Sequence, residues 1–592
     1  MLALVFSQQP SRKWTSIFPI IQILIPTSIS FDRCSSRHLF LLPIRSVSTQ
    51  EIYSCNVEIG YLSRAGKIEA ARQLFDKMPV KDVVSWNAII TGYWQNGFLE
   101  ESKRLFGLTP LRNVVSWNLM VAGCVENERI DEASEYFQKM PKRNTASWNA
   151  MISGLVRYDR IEEATRLFEE MPQKNVISYT AMIDGYAQKG EIERARALFD
   201  CIPQKNSVSW TVMISGYVEN WQFAEARELF NRMPEKNIIA ITAMITGYCK
   251  EGKMENARSL FEEIQYRDLV SWNAIIAGYA QNGSGEEALK LHSQMLKAGM
   301  KPDHSTLISV LTACSSLASL KEGRQTHVHA VINGFESNIS VCNTLITMYS
   351  KCGSIRDSEI AFGQIDTPDL VSWNTIIAAF ALHGRYKKAL DLFGEMGLNG
   401  IKPDGITFLS VLSACGHAGK VKESMAWFGS MVSDYEITPG AEHYACLVDI
   451  LSRAGHLEQA YKVIQEMPFE ADAGVWGALL SACRVYLNVE LGELAAEKIV
   501  GLQPQSSGAY VMLSNIYAAA GMWGEVTRVR GLMKEQGVKK QPGYSWMEMG
   551  NKVHLFLGGD ISHPEIDKIH LELKQIALQM KIMDDIADMV SA

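Results

Sequence analysis

A chain of 592 residues is too long for one compact core, since a single domain usually takes about 100–200 residues. With 47% apolar and 21% charged residues it belongs with folded chains rather than disordered ones. A net charge of −7 excludes a globally basic nucleic-acid binder, so any phosphate contact has to come from a local row of cations.

The first fifty residues stand apart. They carry Arg12, Lys13, Arg33, Arg37 and Arg45, nine serines and a single acid, Asp32. That composition predicts an organelle transit peptide over 1–50, with a mitochondrion preferred to a chloroplast. The apolar run 17–29 is broken by Pro19, Gln22 and Pro26, and is too short to span a bilayer, which takes about 20 apolar residues.

From residue 52 onward the chain repeats itself. "VVSWNAII" at 83–90 returns as "VVSWNLMV" at 114–121, "TASWNAMI" at 145–152 and "LVSWNAII" at 269–276. The polar residue of this phrase falls at Asn56, Asn87, Asn118, Asn149, Thr180, Thr211, Thr242 and Asn273, in steps of 31. The equivalent positions further on are Ile308, Asn343, Asn374, Leu409 and Ala445, in steps of 35, 35, 31, 35 and 36. A fixed period of this size predicts a solenoid, in which each unit buries its apolar face against its neighbours.

Each unit reads as two helices. Trp86, Ile89, Ile90 and Tyr93 form an apolar stripe at helical spacing, "NG" at 96–97 breaks it, and "LEESKRLF" at 99–106 begins a second stripe. Pro79, Pro110, Pro141, Pro172, Pro203 and Pro234 then stop the second helix, while the longer units stop on "GMKPD" (299–303) and "GIKPD" (400–404). The tryptophans are expected in the core. The eleven cysteines show no CxxC pair and no disulfide framework, so they are expected to be small buried hydrophobes in a reducing compartment.

A second polar column closes each unit: Asp82, Asn113, Asn144, Asn175, Asn206, Asn237, Asp268, Asp303, Asp369 and Asp404. Asn and Asp are favoured helix caps, so capping is one reading. The other is ligand reading. Trp86 belongs to the apolar stripe, which puts Asn87 inside the helix, where Asn is a poor helix former. Just before this column stand Lys81, Arg112, Arg143, Lys174, Lys205, Lys236 and Arg267, one cation per unit. They are candidate phosphate contacts, with loop solubility as the alternative.

The run "VVSWNAIITGYWQNGFLEESKRLF", recurring at 31 and 35 residues, resembles the pentatricopeptide repeat proteins, and within them the plant PLS subgroup, over residues 52–570. The resemblance implies an all-α, right-handed superhelical solenoid of helix–turn–helix repeats. Residues 52–268 resemble seven S-type repeats, 269–472 two P-L-S triplets, 473–540 the E region with two degenerate repeats, and 541–592 an E+-like segment and tail.

Family members bind single-stranded RNA at one base per repeat, read by the fifth residue and the last. The resemblance thus implies base-reading pairs. Asn56/Asp82 would read U. Asn87/Asn113, Asn118/Asn144 and Asn149/Asn175 would read pyrimidines. Thr180/Asn206 and Thr211/Asn237 would read A, and Thr242/Asp268 G. Asn273/Asp303, Asn343/Asp369 and Asn374/Asp404 would read U. The implied target is 5′-U-Y-Y-Y-A-A-G-U-n-U-U-n-n-3′, with the units of Ile308, Leu409 and Ala445 undetermined. The chemistry is consistent: Asp accepts only, as the N3–H of uracil and N1–H of guanine require, whereas Asn also donates. The apolar residue at the second position (Val84, Val115, Ile177, Val208 and Val270) would wedge against the base, or else belong to the core.

E-region members of this subgroup act in C-to-U RNA editing. A cytidine deaminase needs an H-x-E and a later P-C-x-x-C. "HLE" occurs at 456–458 and 570–572, but the last cysteine is Cys483. No zinc site can be assembled from these residues, and no cofactor, metal, membrane or small-molecule substrate is expected. The expected function is a non-enzymatic RNA adaptor for organellar editing that recruits a DYW-type deaminase in trans. "KKQPGYSW" (539–546) and "MDDIADM" (583–589) are expected contacts for that partner. An organellar splicing or stabilisation factor and a tetratricopeptide-like protein scaffold are the alternatives.

Overall fold

The structure is a computed structural model that describes residues 49–538, 544–549, 552–557 and 563–576. Nearly all of the expected leader and the acidic 583–589 stretch lie outside the described residues. The chain forms two compact units, 1–173 and 174–592. The first helix starts at Thr49, two residues inside the expected leader boundary.

The first unit holds four helical hairpins: α1 (Thr49–Arg64) with α2 (Ile68–Lys77), α3 (Val83–Gln95) with α4 (Leu99–Leu108), α5 (Val114–Glu126) with α6 (Ile130–Lys139), and α7 (Thr145–Arg157) with α8 (Ile161–Glu170). The second unit continues the pattern from α9 (Val176–Gln188) to α30 (Trp523–Glu535). Within each unit, first helices pack on first helices, and a second helix packs on the first helix of its own repeat and on that of the next repeat of the same unit. The helical solenoid expected from the period is therefore present. It extends through 473–535, where the sequence pattern is degenerate. Among the described residues, an antiparallel hairpin of β1 (Tyr544–Met549) and β2 (Lys552–Leu557), pairing Tyr544 with Leu557, and a helix over 566–576 follow it.

The repeat junctions show why the phrase recurs. The residue before each proline must be extended, and Met78, ahead of Pro79, has ψ 123 and ends α2. The tryptophan of the next repeat then drops its edge onto the phenylalanine of that second helix. Phe75–Trp86, Phe106–Trp117, Phe137–Trp148, Phe199–Trp210 and Phe261–Trp272 all sit with centroids 4.8–5.1 Å apart and rings steeply inclined. Such edge-to-face pairs add about 0.5–1.5 kcal/mol beyond the area they bury. First helices approach closely at one glycine per repeat: a Cβ on Gly278 would lie 2.1 Å from Cys249 Sγ.

A side chain near the end of several first helices stitches them to the helix before. Asn96 Nδ2 donates to Ser63 O at 3.0 Å, Asn127 to Trp94 O at 3.2 Å, Asn220 to Ala187 O at 2.8 Å and Asn282 to Cys249 O at 2.8 Å. Tyr158 takes the same place with its hydroxyl, 2.8 Å from Val125 O. The described cysteines are free thiols. Six are buried as expected, and burial pushes Cys124, Cys249 and Cys314 up to about 12, but Cys201 is exposed.

Candidate nucleic-acid interface

The second polar column caps the first helices. Asp82 is the N-cap of α3, with an extended backbone, and its Oδ1 accepts the Ser85 N–H at 2.7 Å. Asn113, Asn144, Asn175, Asn206, Asn237, Asp268, Asp303, Asp369 and Asp404 cap their helices in the same way. A cap of this kind contributes about 1 kcal/mol. This alone would favour the structural reading, but the same side chains also face back across the seam to the first column. Asn56 Nδ2 donates to Asp82 Oδ1 at 3.3 Å, Asn118 Nδ2 to Asn144 Oδ1 at 3.3 Å and Asn237 Nδ2 to Thr211 Oγ1 at 3.2 Å. Asn273 and Asn374 donate to Asp303 and Asp404, each at 3.0 Å. Capping and pairing are thus two uses of one residue. Burial works against the Asp82 carboxylate, but the Ser85 N–H and hydroxyl and the Asn56 amide hold its pKa below the usual range.

The first column lies at the seams between first helices. Asn56, Asn87, Thr180, Thr211, Thr242 and Asn374 are buried there, and Asn118, Asn273 and Asn343 half-buried; Asn149, on the last first helix of the first unit, is buried as well. The amide oxygens of Asn56, Asn87, Asn118, Asn149 and Asn343 and the hydroxyl of Thr242 have no partner. A buried orphan of this kind costs about 1–3 kcal/mol, and a native fold rarely keeps one without a use. Here the orphans recur at the same position of repeat after repeat. Three residues earlier stands the apolar position that sequence alone could not place. Val84, Val115, Val270 and Val371 are 53–58% exposed, so they are not core, whereas Ile177 and Val208 are half-buried. Unmet polar atoms at the seam beside exposed branched apolar groups make a surface suited to a flat ring with a hydrogen-bonding edge. The seams of Ile308, Leu409 and Ala445 carry no polar side chain in this column.

The basic row makes contacts within the protein itself. Arg112 Nε donates to Phe106 O at 2.9 Å and its guanidinium lies 4.9 Å from the Phe106 ring. Arg143 does the same at Phe137, at 3.0 Å and 4.7 Å, and Arg267 at Phe261, at 3.2 Å and 4.6 Å. Lys81 donates to Met78 O at 2.7 Å and lies 5.3 Å from Phe75; Lys205 donates to Ile202 O at 3.0 Å and lies 5.1 Å from Phe199. Lys236 sits 4.5 Å from Phe230. Five of these cations, all but Lys236, close the end of the second helix, where carbonyls lack partners, and cover the ring that the next Trp also touches; Lys236 covers Phe230, which Ile241 follows in place of a Trp. Each therefore has a structural contact, whatever it does toward a phosphate. The sequence signal was real, one cation per repeat, but spacing alone says nothing about which way a side chain turns.

Sequence reasoning also passed over Thr306 and Thr407. Each is the third residue of a first helix and hydrogen-bonds to both polar columns at once. Their signal is the capping-box spacing, three residues after Asp303 and Asp404.

Comparison with known proteins agrees with this construction. The PPR repeat profile matches residues 54–83, 84–109, 115–145, 177–207, 208–238, 239–269, 406–435 and 442–470, and the PPR repeat family profile matches 143–177, 267–316 and 368–417. Together they cover more than half of the chain, which therefore belongs to the pentatricopeptide repeat family. An E motif follows at 486–548. A pentatricopeptide repeat-containing protein of Arabidopsis thaliana is 47% identical over 287 residues, 48% of this chain and 38% of that protein. A mitochondrial one is 43% identical over 285 residues, 48% and 47%, and a chloroplastic one 41% identical over 286 residues, 48% and 32%. The chain thus spans less than half the length of these relatives. Among solved structures, the pentatricopeptide repeat protein PPR10 from maize covers 81% of this chain and 84% of its own, at 19% identity and TM-score 0.45. PPR10 in complex with an 18-nt psaJ RNA element covers 82% and 84%, at 18% identity and TM-score 0.47. Among the described residues no helix is long and apolar enough to cross a membrane.

Proposed function

We propose that this protein is a sequence-specific single-stranded RNA-binding adaptor of an organelle, acting in C-to-U editing with a deaminase supplied by another protein. The observation that carries the RNA reading is an unpartnered seam polar atom with an exposed branched apolar side chain three residues before it, found at Asn87 with Val84, Asn118 with Val115 and Thr242 with Ile239. A base laid against the apolar group would bring its edge to the amide and to the cap of the next repeat. PPR10, a member of the same family, is known bound to an RNA element. The E motif match and the mitochondrial and chloroplastic relatives support the editing and organellar parts. No catalytic step is assigned to this chain, which works by positioning.

The test is a gel shift with 5′-UYYYAAGUnUUnn-3′ and single-base variants. Thr242→Asn is expected to move the preference at the seventh base from G to a pyrimidine, by about tenfold or more. Unchanged preference would refute base reading. No RNA affinity at all would favour a protein-binding scaffold. Transcript sequencing in plants lacking the protein tests the editing part, and loss of no C-to-U site would remove it.

A further inference from the structure

Where the third residue of the following first helix carries a hydroxyl, the seams of this array come in two chemical kinds; at others, such as that of Thr211 and Asn237, the residue is apolar (Ala240). Where it is Ser, the hydroxyl turns to its own cap. Ser85 Oγ donates to Asp82 Oδ1 at 2.8 Å and Ser372 Oγ to Asp369 Oδ1 at 2.8 Å, and the oxygens of Asn56 and Asn343 are left without partners. Where it is Thr, a closed triangle forms. Asn273 Nδ2 donates to Asp303 Oδ1 at 3.0 Å, and Thr306 Oγ1 donates to Asn273 Oδ1 at 2.6 Å. Asn374, Asp404 and Thr407 repeat it, at 3.0 and 2.6 Å. A hydroxyl has one proton, and in both triangles the amide oxygen is nearer than the carboxylate, 2.6 Å against 2.9 Å. The Thr oxygen in turn accepts the cap residue's own N–H, at 3.2 and 3.0 Å.

The triangle fixes which way the amide points. A carboxylate only accepts, so the NH2 must face Asp303; the Thr hydroxyl then holds the oxygen on the other side. Branching at Cβ restricts the Thr side chain further. One N–H and one oxygen lone pair of Asn273 remain free, in a fixed order. Uracil presents N3–H beside the O4 acceptor. Cytosine presents the N3 acceptor beside an N4–H donor, the reverse order. An amide that cannot turn over matches one of the two; an amide whose oxygen is free can turn and serve both.

We propose that Thr306 and Thr407 are positioning residues that lock Asn273 and Asn374 in one amide orientation, and so make these two units discriminate U from C, while Ser-closed seams such as that of Asn343 are more permissive. This rests on the base-reading function above. No direct contact of either Thr with RNA is involved.

The test measures full-chain affinity for RNAs that differ only by U or C opposite the units of Asn273, Asn343 and Asn374. Wild type is expected to prefer U by about tenfold or more at the first and last, and by about threefold or less at Asn343, since one well-formed bidentate contact gives discrimination of that order. Thr306→Val should bring the ratio opposite Asn273 down to about threefold and leave the Asn374 ratio unchanged. Thr407→Val should do the converse. Ser372→Thr should raise the ratio opposite Asn343, a gain that damage to the fold would not produce. Ratios unmoved by all three substitutions overturn the lock. If Thr242→Asn still switches its own base in that case, base reading stands and only the lock falls. If wild type prefers neither base at any of the three positions, the lock is overturned, and an unresponsive Thr242→Asn shows that base reading has failed with it.

Discussion

In the tandem repeats of 52–268 the second helix is nine or ten residues long, and most stop on an extended residue before proline, as at Met78 and Met140. In the long repeats of 269–338 and 370–440 it runs to thirteen and stops at a glycine such as Gly299 or Gly400, both with positive φ. The extra four residues are one helical turn, and they fall in the outer element. From α3 onward the first helices keep thirteen or fourteen residues across both regions. The array therefore varies its period without moving the layer that carries the two polar columns. The regions also close their junctions differently. The short repeats stack a cation on the Phe–Trp pair, whereas the junctions after Gly299 and Gly400 place Thr306 and Thr407 at the seam.

The largest contrast should come from the aromatic staple. Phe137→Ala removes the ring that Trp148 and Arg143 share, and should cost about 3–5 kcal/mol. Hydrogen exchange should then accelerate in α6 and α7 well before the long repeats respond. If both regions open together, the junctions are not independent. The converse probe is acid. His292, on the helix Gly285–Lys297, is buried beside His329, and burial first and that second ring next lower its pKa from 6.5 to about 4. The folded state thus holds it neutral. Its stabilisation is complete above pH 6.5 and is lost as pH falls toward 4, by up to about 3 kcal/mol. Exchange in that helix should rise in this window, and His292→Leu should flatten the dependence.

A smaller effect separates the two readings of the basic row. Arg143→Ala should lower stability by about 1 kcal/mol through the lost helix-end and ring contacts, with the salt dependence of RNA binding unchanged. A fall of about one in the slope of log affinity against log salt would restore the phosphate role. The smallest effect is a gain. Glu128 takes φ 63 at the turn where other repeats have a glycine such as Gly97, so Glu128→Gly should stabilise the first unit by about 1 kcal/mol in thermal melts.

Much of the fold was legible because a period of 31 makes every copy vote. Helix positions, turns, proline stops and a Trp column packed on the preceding Phe, buried at Trp148 and Trp272 and half-buried at Trp86, Trp117 and Trp210, all follow from spacing. The pairing of Asn56 with Asp82 was reached through the family resemblance, and the structure adds the distance. What stayed hidden depends on side-chain direction. Val84 and Ile90 look alike by hydropathy alone, yet one faces solvent and the other is wholly buried. Arg143 looks like a free cation until its helix end and Phe137 are placed beside it. The seam triangle of Thr306 needs three residues from two repeats, which no single-unit pattern displays. The strands at 544–557 fall after the periodic part ends, where no repeated copy constrains them.

The stitch from Asn96 to Ser63 has a direction. In each such bond the donor belongs to the later repeat and the acceptor to the earlier one. A chain that leaves the ribosome N-terminus first always presents the carbonyl before the group that satisfies it. Each repeat is completed by its successor, so during synthesis the newest hairpin is the one still waiting for its closing bond. Assembly of this array is a relay in which every finished unit marks the arrival of the next.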